Sequence, residues 1–131
     1  MEMSFLPIIV AIVLNMAIAM VWYSPWLFGK SWVTALGFDI KQMKASPLCY
    51  VGATIVCMVT VGVTAVLIHK FNITTLMEAI ELGLYLWLGF IATNHFSGVL
   101  WAKKSLKVFY IDTGYLLVIT LLNTILLTLW K

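Results

Sequence analysis

The chain has 131 residues, of which 63% are hydrophobic and 10% charged, with a mean hydropathy of +1.07 and a formal net charge of +3. A soluble domain of this length cannot hide so much apolar surface, because small globules leave much of their surface wet. A nucleic-acid-binding module is also excluded, since that would gather its basic residues into a patch on a folded surface.

The apolar residues fall into four blocks, at 5–23, 48–68, 76–101 and 110–130, each near the ~20 residues that cross a bilayer as a helix. The expectation is an all-α integral membrane protein, a single transmembrane domain over residues 1–131. In the first block Ala17-Ile18-Ala19 mimics a signal-cleavage site. The chain opens Met1-Glu2-Met3-Ser4, however, without the positive charge of a signal peptide. The first block is therefore expected to be a permanent helix.

Between the first two blocks, Ser24-Pro25 reads as a helix start, a hydroxyl cap followed by proline at the first helical position. Trp26, Leu27, Phe28, Trp32, Val33 and Leu36 supply an apolar side, and Gly37 supplies a stop. This predicts a short helix over about residues 25–36 lying in the membrane interface. Trp22, Trp26 and Trp32, together with Trp101 further on, are read as interface anchors; a functional gate is the alternative for this segment. Asp39 with Gln42 resembles a capping box, and Ser46-Pro47 repeats the start signal.

Cys49 and Cys57 on the second block are about 12 Å apart along one helix, too far for a disulfide, and are read as packing thiols. The following connection is short and ends in Thr75 and Glu78, a capping box for the third helix. Asn72-Ile73-Thr74 has the form of a glycosylation acceptor, but nothing else points to a secretory protein.

The third block contains FIATNHFSGVLW, which places Asn94 and His95 inside a spanning helix. Asn94, Gly98 and Trp101 repeat the spacing of Asn15, Ala19 and Trp22 in the first block. The match suggests two hairpins running in parallel, related by an axis along the membrane normal. Both asparagines would then lie roughly 10 Å from the same interface. The favoured reading makes Asn15 and Asn94 interhelical hydrogen-bonding groups, worth about 0.6–2 kcal/mol each, with Thr60, Thr64, Thr120, Asn123 and Thr124 as partners. Solute contact is the alternative.

At 100° per residue, Glu78, Glu81, Tyr85, Leu88, Ala92 and His95 fall on one stripe of the third helix. An ionisable group at membrane depth is a functional candidate, so Glu81, Tyr85 and His95 are a candidate solute path. The plainer readings are glutamates in the first turn of a helix, where the dipole favours them, and a neutral imidazole bonded to a neighbour. Glu81 and His95 lie about 21 Å apart along the axis and cannot act on one bond. No nucleophile elbow, metal-ligand pair or paired intramembrane aspartate is present, so neither enzymatic activity nor a cofactor is expected.

Orientation follows from the lysines. Lys30, Lys41, Lys44, Lys103, Lys104 and Lys107 lie on one side and Lys70 and Lys131 on the other, six against two. The lysine-rich side is cytoplasmic, which puts both termini outside.

The run WYSPWLFGKSW from Trp22 to Trp32, the segment from Asn94 to Trp101, and Ile111-Asp112-Thr113-Gly114-Tyr115 resemble the domain-of-unknown-function family 1761 over nearly the whole chain. The resemblance implies a small four-helix bacterial inner-membrane protein and carries no activity or site residue with it. The expected function is a homo-oligomeric channel or transporter for an ion or small solute. The alternative is a non-transporting structural or regulatory subunit.

Overall fold

The computed structural model describes residues 5–24, 26–37 and 47–130. It holds five helices: α1 (Phe5–Trp22), α2 (Gly29–Leu36), α3 (Pro47–Lys70), α4 (Leu76–Trp101) and α5 (Leu106–Leu129). Among the described residues there is no strand. Apart from α2, each helix is long and apolar enough to cross a membrane. Pro25, the Asp39 and Gln42 pair, Lys41, Lys44 and Ser46 lie outside the described residues.

Local chemistry sets most of the boundaries. α2 starts at Gly29, about a turn later than expected, because Ser24 does not cap it. The Ser24 hydroxyl instead donates to the Val21 carbonyl, and the Ser24 carbonyl accepts the Leu27 and Gly29 amides in a tight turn. α2 ends at Gly37, whose left-handed φ of 87° suits a residue without Cβ. α3 ends in a Schellman motif: left-handed Asn72 donates to His69 O, and Ile73 donates to Ile68 O. Ile68 and Ile73 are both buried, the hydrophobic contact that accompanies this turn. Asn72 thus has a conformational role in the turn.

Thr75 and Glu78 form a capping box at the start of α4, each side chain accepting the other residue's backbone amide. α5 begins at Leu106, one turn before the apolar block, because the Ser105 hydroxyl accepts the Lys107 amide. α4 is not a uniform α-helix: Trp87–Ala92 is π-helical, a widened turn with i→i+5 bonding.

α5 is the central post. It packs on α4 most extensively and also on α1, α2 and α3, while α1 packs on α3 as well. α4 meets α5 closely at Gly83, where an added Cβ would lie 2.9 Å from both Leu121 Cδ2 and Thr124 Oγ1. Ala11, Val61, Ala65, Ile68, Ile73, Ala79 and Leu127 form a small apolar core at the end where α3 passes to α4.

Next to that core lies a polar layer. Asn15 Nδ2 donates to Asn123 Oδ1 at 2.6 Å, and Asn123 Nδ2 donates back to Asn15 Oδ1 at 3.2 Å. Asn15 also donates to Ala11 O, and the Tyr115 hydroxyl donates to Asn15 O. The two amides are 0% and 1% exposed, so each is the partner that water would otherwise be. Asn15→Leu and Asn123→Leu should each destabilise the protein by about 1–3 kcal/mol by stranding the opposite amide. The double substitution should cost less than the sum. Thermal unfolding of the wild type and the three variants in mild detergent checks this, and strict additivity would refute the pair's reciprocity.

Candidate functional site

α1 ends at Trp22, and the turn to α2 is closed by Phe28 N–H to Trp22 O and Gly29 N–H to Ser24 O. Gly29 is required there: an added Cβ would lie 2.3 Å from Tyr23 O and 2.6 Å from Ser24 O, both backbone atoms. The turn lays α2 against the start of α5 and returns Trp32 beside Tyr23, with ring centroids 5.1 Å apart.

Three indoles and a phenol converge on three successive residues of α5. Trp22 Nε1 donates to Ile111 O at 3.0 Å, Trp32 Nε1 to Asp112 Oδ1 at 3.0 Å, and Trp87 Nε1 to Thr113 O at 2.8 Å. The Tyr23 hydroxyl also donates to Asp112 Oδ1. A carbonyl carries two lone pairs, so Ile111 and Thr113 can accept an indole and remain helical. Gly114 leaves room for the Trp22 ring, which a Cβ would approach to 3.3 Å. Tyr115 packs edge-on to Tyr23 at 5.6 Å.

This arrangement ties α1, α2 and α4 to one short piece of α5. Asp112 Oδ1 accepts from two donors, and among the described residues no three His, Cys, Asp or Glu side chains assemble. Of the four tryptophans read as interface anchors, Trp26 and Trp101 are 94% and 86% exposed, as an anchor requires. Trp22 and Trp32 are half-buried and direct their N–H groups to protein. An indole has one donor, and here α5 takes it.

Glu81, Tyr85 and His95 do not form one stripe. Tyr85 and Leu88 are exposed, Ala92 is buried and His95 is half-buried. The reason is the π-helical turn, which takes in about one extra residue and rotates everything after it by roughly 100° relative to the turns before. The polar residues that follow it bond back to this turn, just as Thr54, Thr60 and Thr64 bond four residues back along α3. Thr93 Oγ1 donates to Gly89 O, Asn94 Nδ2 donates to Phe90 O, and His95 Nδ1 lies 3.0 Å from Ile91 O. These three successive carbonyls belong to the widened turn, whose backbone amides are displaced from ideal α-helical alignment, and the side chains supply donors to them.

The two segments of matching spacing therefore occupy unlike surroundings. Asn15 is buried and paired across helices, whereas Asn94 is exposed and bonded within α4. Likewise Trp22 is tied to α5 and Trp101 is free of it. Thr60 is exposed and donates to Val56 O; Thr64 is buried and donates to Thr60 O; Thr124 is buried and donates to Leu121 O. Thr120 is half-buried on α5. None of these threonines bonds Asn15.

Sequence reasoning did not single out Tyr23, Gly29, Trp87, Asp112 or Tyr115 as a site. The available signal was Asp112 itself, the sole acid of the last span, within one of the three runs that carry the family resemblance.

Asp112→Leu should destabilise the protein by about 1.5–3 kcal/mol, since Tyr23 and Trp32 both lose a charged acceptor. Asp112→Asn, which keeps an acceptor, should retain a larger part. Thermal unfolding and the tryptophan emission maximum of each variant report the loss, and an unshifted emission in Asp112→Leu would refute the convergence.

No curated protein and no solved structure matches the chain. The motif that builds the α1–α2 turn and the α5 residues it docks on fall within the match to a family profile covering residues 6–128, and the chain belongs to that family, described as Protein of unknown function (DUF1761).

Proposed function

We propose that this is a bacterial inner-membrane protein with both termini outside, working as a homo-oligomeric structural or regulatory subunit and neither as an enzyme nor as a conduit through its own bundle. The observation that carries this reading is the interior: among the described residues every buried side-chain polar atom but Thr128 Oγ1 has a hydrogen-bond partner within the protein. The Asn15–Asn123 pair is sealed from solvent, and Asp112 is held by two donors. Groups already paired in this way are poorly suited to replace the hydration shell of a permeating solute.

Transport is the second reading, favoured by one feature. Glu81 and Tyr85 are exposed on α4, and His95 is half-buried with only Nδ1 engaged. A path for a proton or small ion would then run along a seam between copies, past those side chains. Reconstitution into liposomes with a panel of ions and small solutes separates the two. The structural reading expects no flux above protein-free vesicles. It also expects His95→Leu and Asn94→Leu to lower stability alike, by about 0.5–1.5 kcal/mol, because both lose a bond to α4's backbone. A flux titrating between roughly pH 5 and 8 and abolished by His95→Leu would establish transport.

The orientation rests on the lysines. Lys30, Lys103, Lys104 and Lys107 lie near the end where α1 finishes and α5 starts, and Lys70 closes α3 at the other. Lys104→Cys should react with an impermeant maleimide only after cells are opened, and Asn72→Cys in intact cells; the reverse pattern would invert the topology.

A further inference from the structure

We infer that the chain self-associates through α4, with Asn94 of one copy hydrogen-bonded to Asn94 of a second at a two-fold interface. The inference rests on the oligomeric part of the reading above and adds the surface and the bond that define it.

α4 is the least apolar of the four spans, and 17% of its most apolar window is buried, the same share as in the far more apolar α1 and less than the 39% of the comparably apolar α5. It packs chiefly on α5, so its other flank is open. On α4, Thr93, Asn94 and Ser97 are exposed. Asn94 donates one N–H to Phe90 O; its second N–H and its Oδ1 have no partner among the described residues. Seven residues before Trp101, Asn94 sits roughly 10 Å from the end of α4, at a depth where lipid supplies no hydrogen-bond partner.

A carboxamide is self-complementary, offering a donor and an acceptor side by side. This bundle uses that property once already, in the reciprocal bonds of Asn15 and Asn123. A second copy in the same membrane has the same orientation, so a two-fold axis along the membrane normal sets α4 against α4 with equal depths matched. Asn94 then meets Asn94 without further adjustment, whereas an unrelated partner would have to present a polar group at that depth. The approach is open: a Cβ on Gly89, one turn before Thr93, would meet nothing of its own chain within 4 Å. Short side chains at such a contact let two spanning helices come close enough for amides to bond.

The test uses the full-length protein in lipid vesicles, with Cys49→Ser and Cys57→Ser as background. Under copper-phenanthroline oxidation Ser97→Cys should give a disulfide-linked dimer, and Val59→Cys, on the exposed side of α3, should not. Asn94→Leu should lower the dimer equilibrium by about 3- to 30-fold, with Asn94→Gln restoring most of it. Gly89→Leu should lower it as well while leaving thermal unfolding of the single chain unchanged, which separates interface loss from misfolding. Oligomers in native mass spectrometry with no Ser97→Cys product would place the interface elsewhere and overturn this inference alone. Monomer at every concentration would overturn it together with the oligomeric reading. Equal cross-linking at Val59→Cys, indifference to both Asn94→Leu and Gly89→Leu, or a different protein captured on α4 would also overturn it.

Discussion

Three indole N–H groups delivered to Ile111, Asp112 and Thr113 are the interaction on which the rest of the bundle depends. They come from α1, α2 and α4, so one short piece of α5 fixes three other elements at once. In an apolar surround this is an efficient tie. Leucine against leucine gives little preference for protein over lipid, because both sides are equally apolar. A buried N–H with a fixed acceptor does discriminate, since lipid offers none. Tryptophan supplies a large apolar body and a single donor, which suits it to this role.

The Asn15–Asn123 pair does the same work deeper in the bundle, and the two sites reinforce each other. Tyr115 lies between them on α5; its ring packs on Tyr23 while its hydroxyl donates to Asn15 O. Antiparallel α1 and α5 are thus pinned at two depths, which defines both their register and their rotation. α3 lacks such pins. The side-chain bonds of Thr54, Thr60 and Thr64 to the backbone all stay within α3, and that helix is held by close packing of Val61, Ala65 and Ile68 in the small core.

What was legible in the sequence was what local chemistry determines. The four apolar blocks, the Thr75–Glu78 capping box and the Gly37 stop each depend on residues within a few positions of one another. Asp112 was not legible as a site because its partners Tyr23 and Trp32 are 89 and 80 residues away. The tryptophans misled for a related reason: an indole near a helix end has the same composition signal whether it stands exposed, as Trp26 does, or donates to a carbonyl, as Trp22 does. The π-helical turn left no composition signal, and an angular projection at 100° per residue therefore failed beyond Trp87.

That turn is where the polar residues of FIATNHFSGVLW find their acceptors. Thr93, Asn94 and His95 are the three residues whose side chains reach back to its carbonyls. Trp87 opens the π-helical stretch and also donates its indole N–H to Thr113 O, so the change of helical pitch sits at the point where α4 is tied to α5. The ionisable His95 within a long apolar helix thus has a backbone contact to weigh against a solute path. At His95 the backbone already accounts for Nδ1, leaving Nε2 as the atom on which any proton-carrying role would depend.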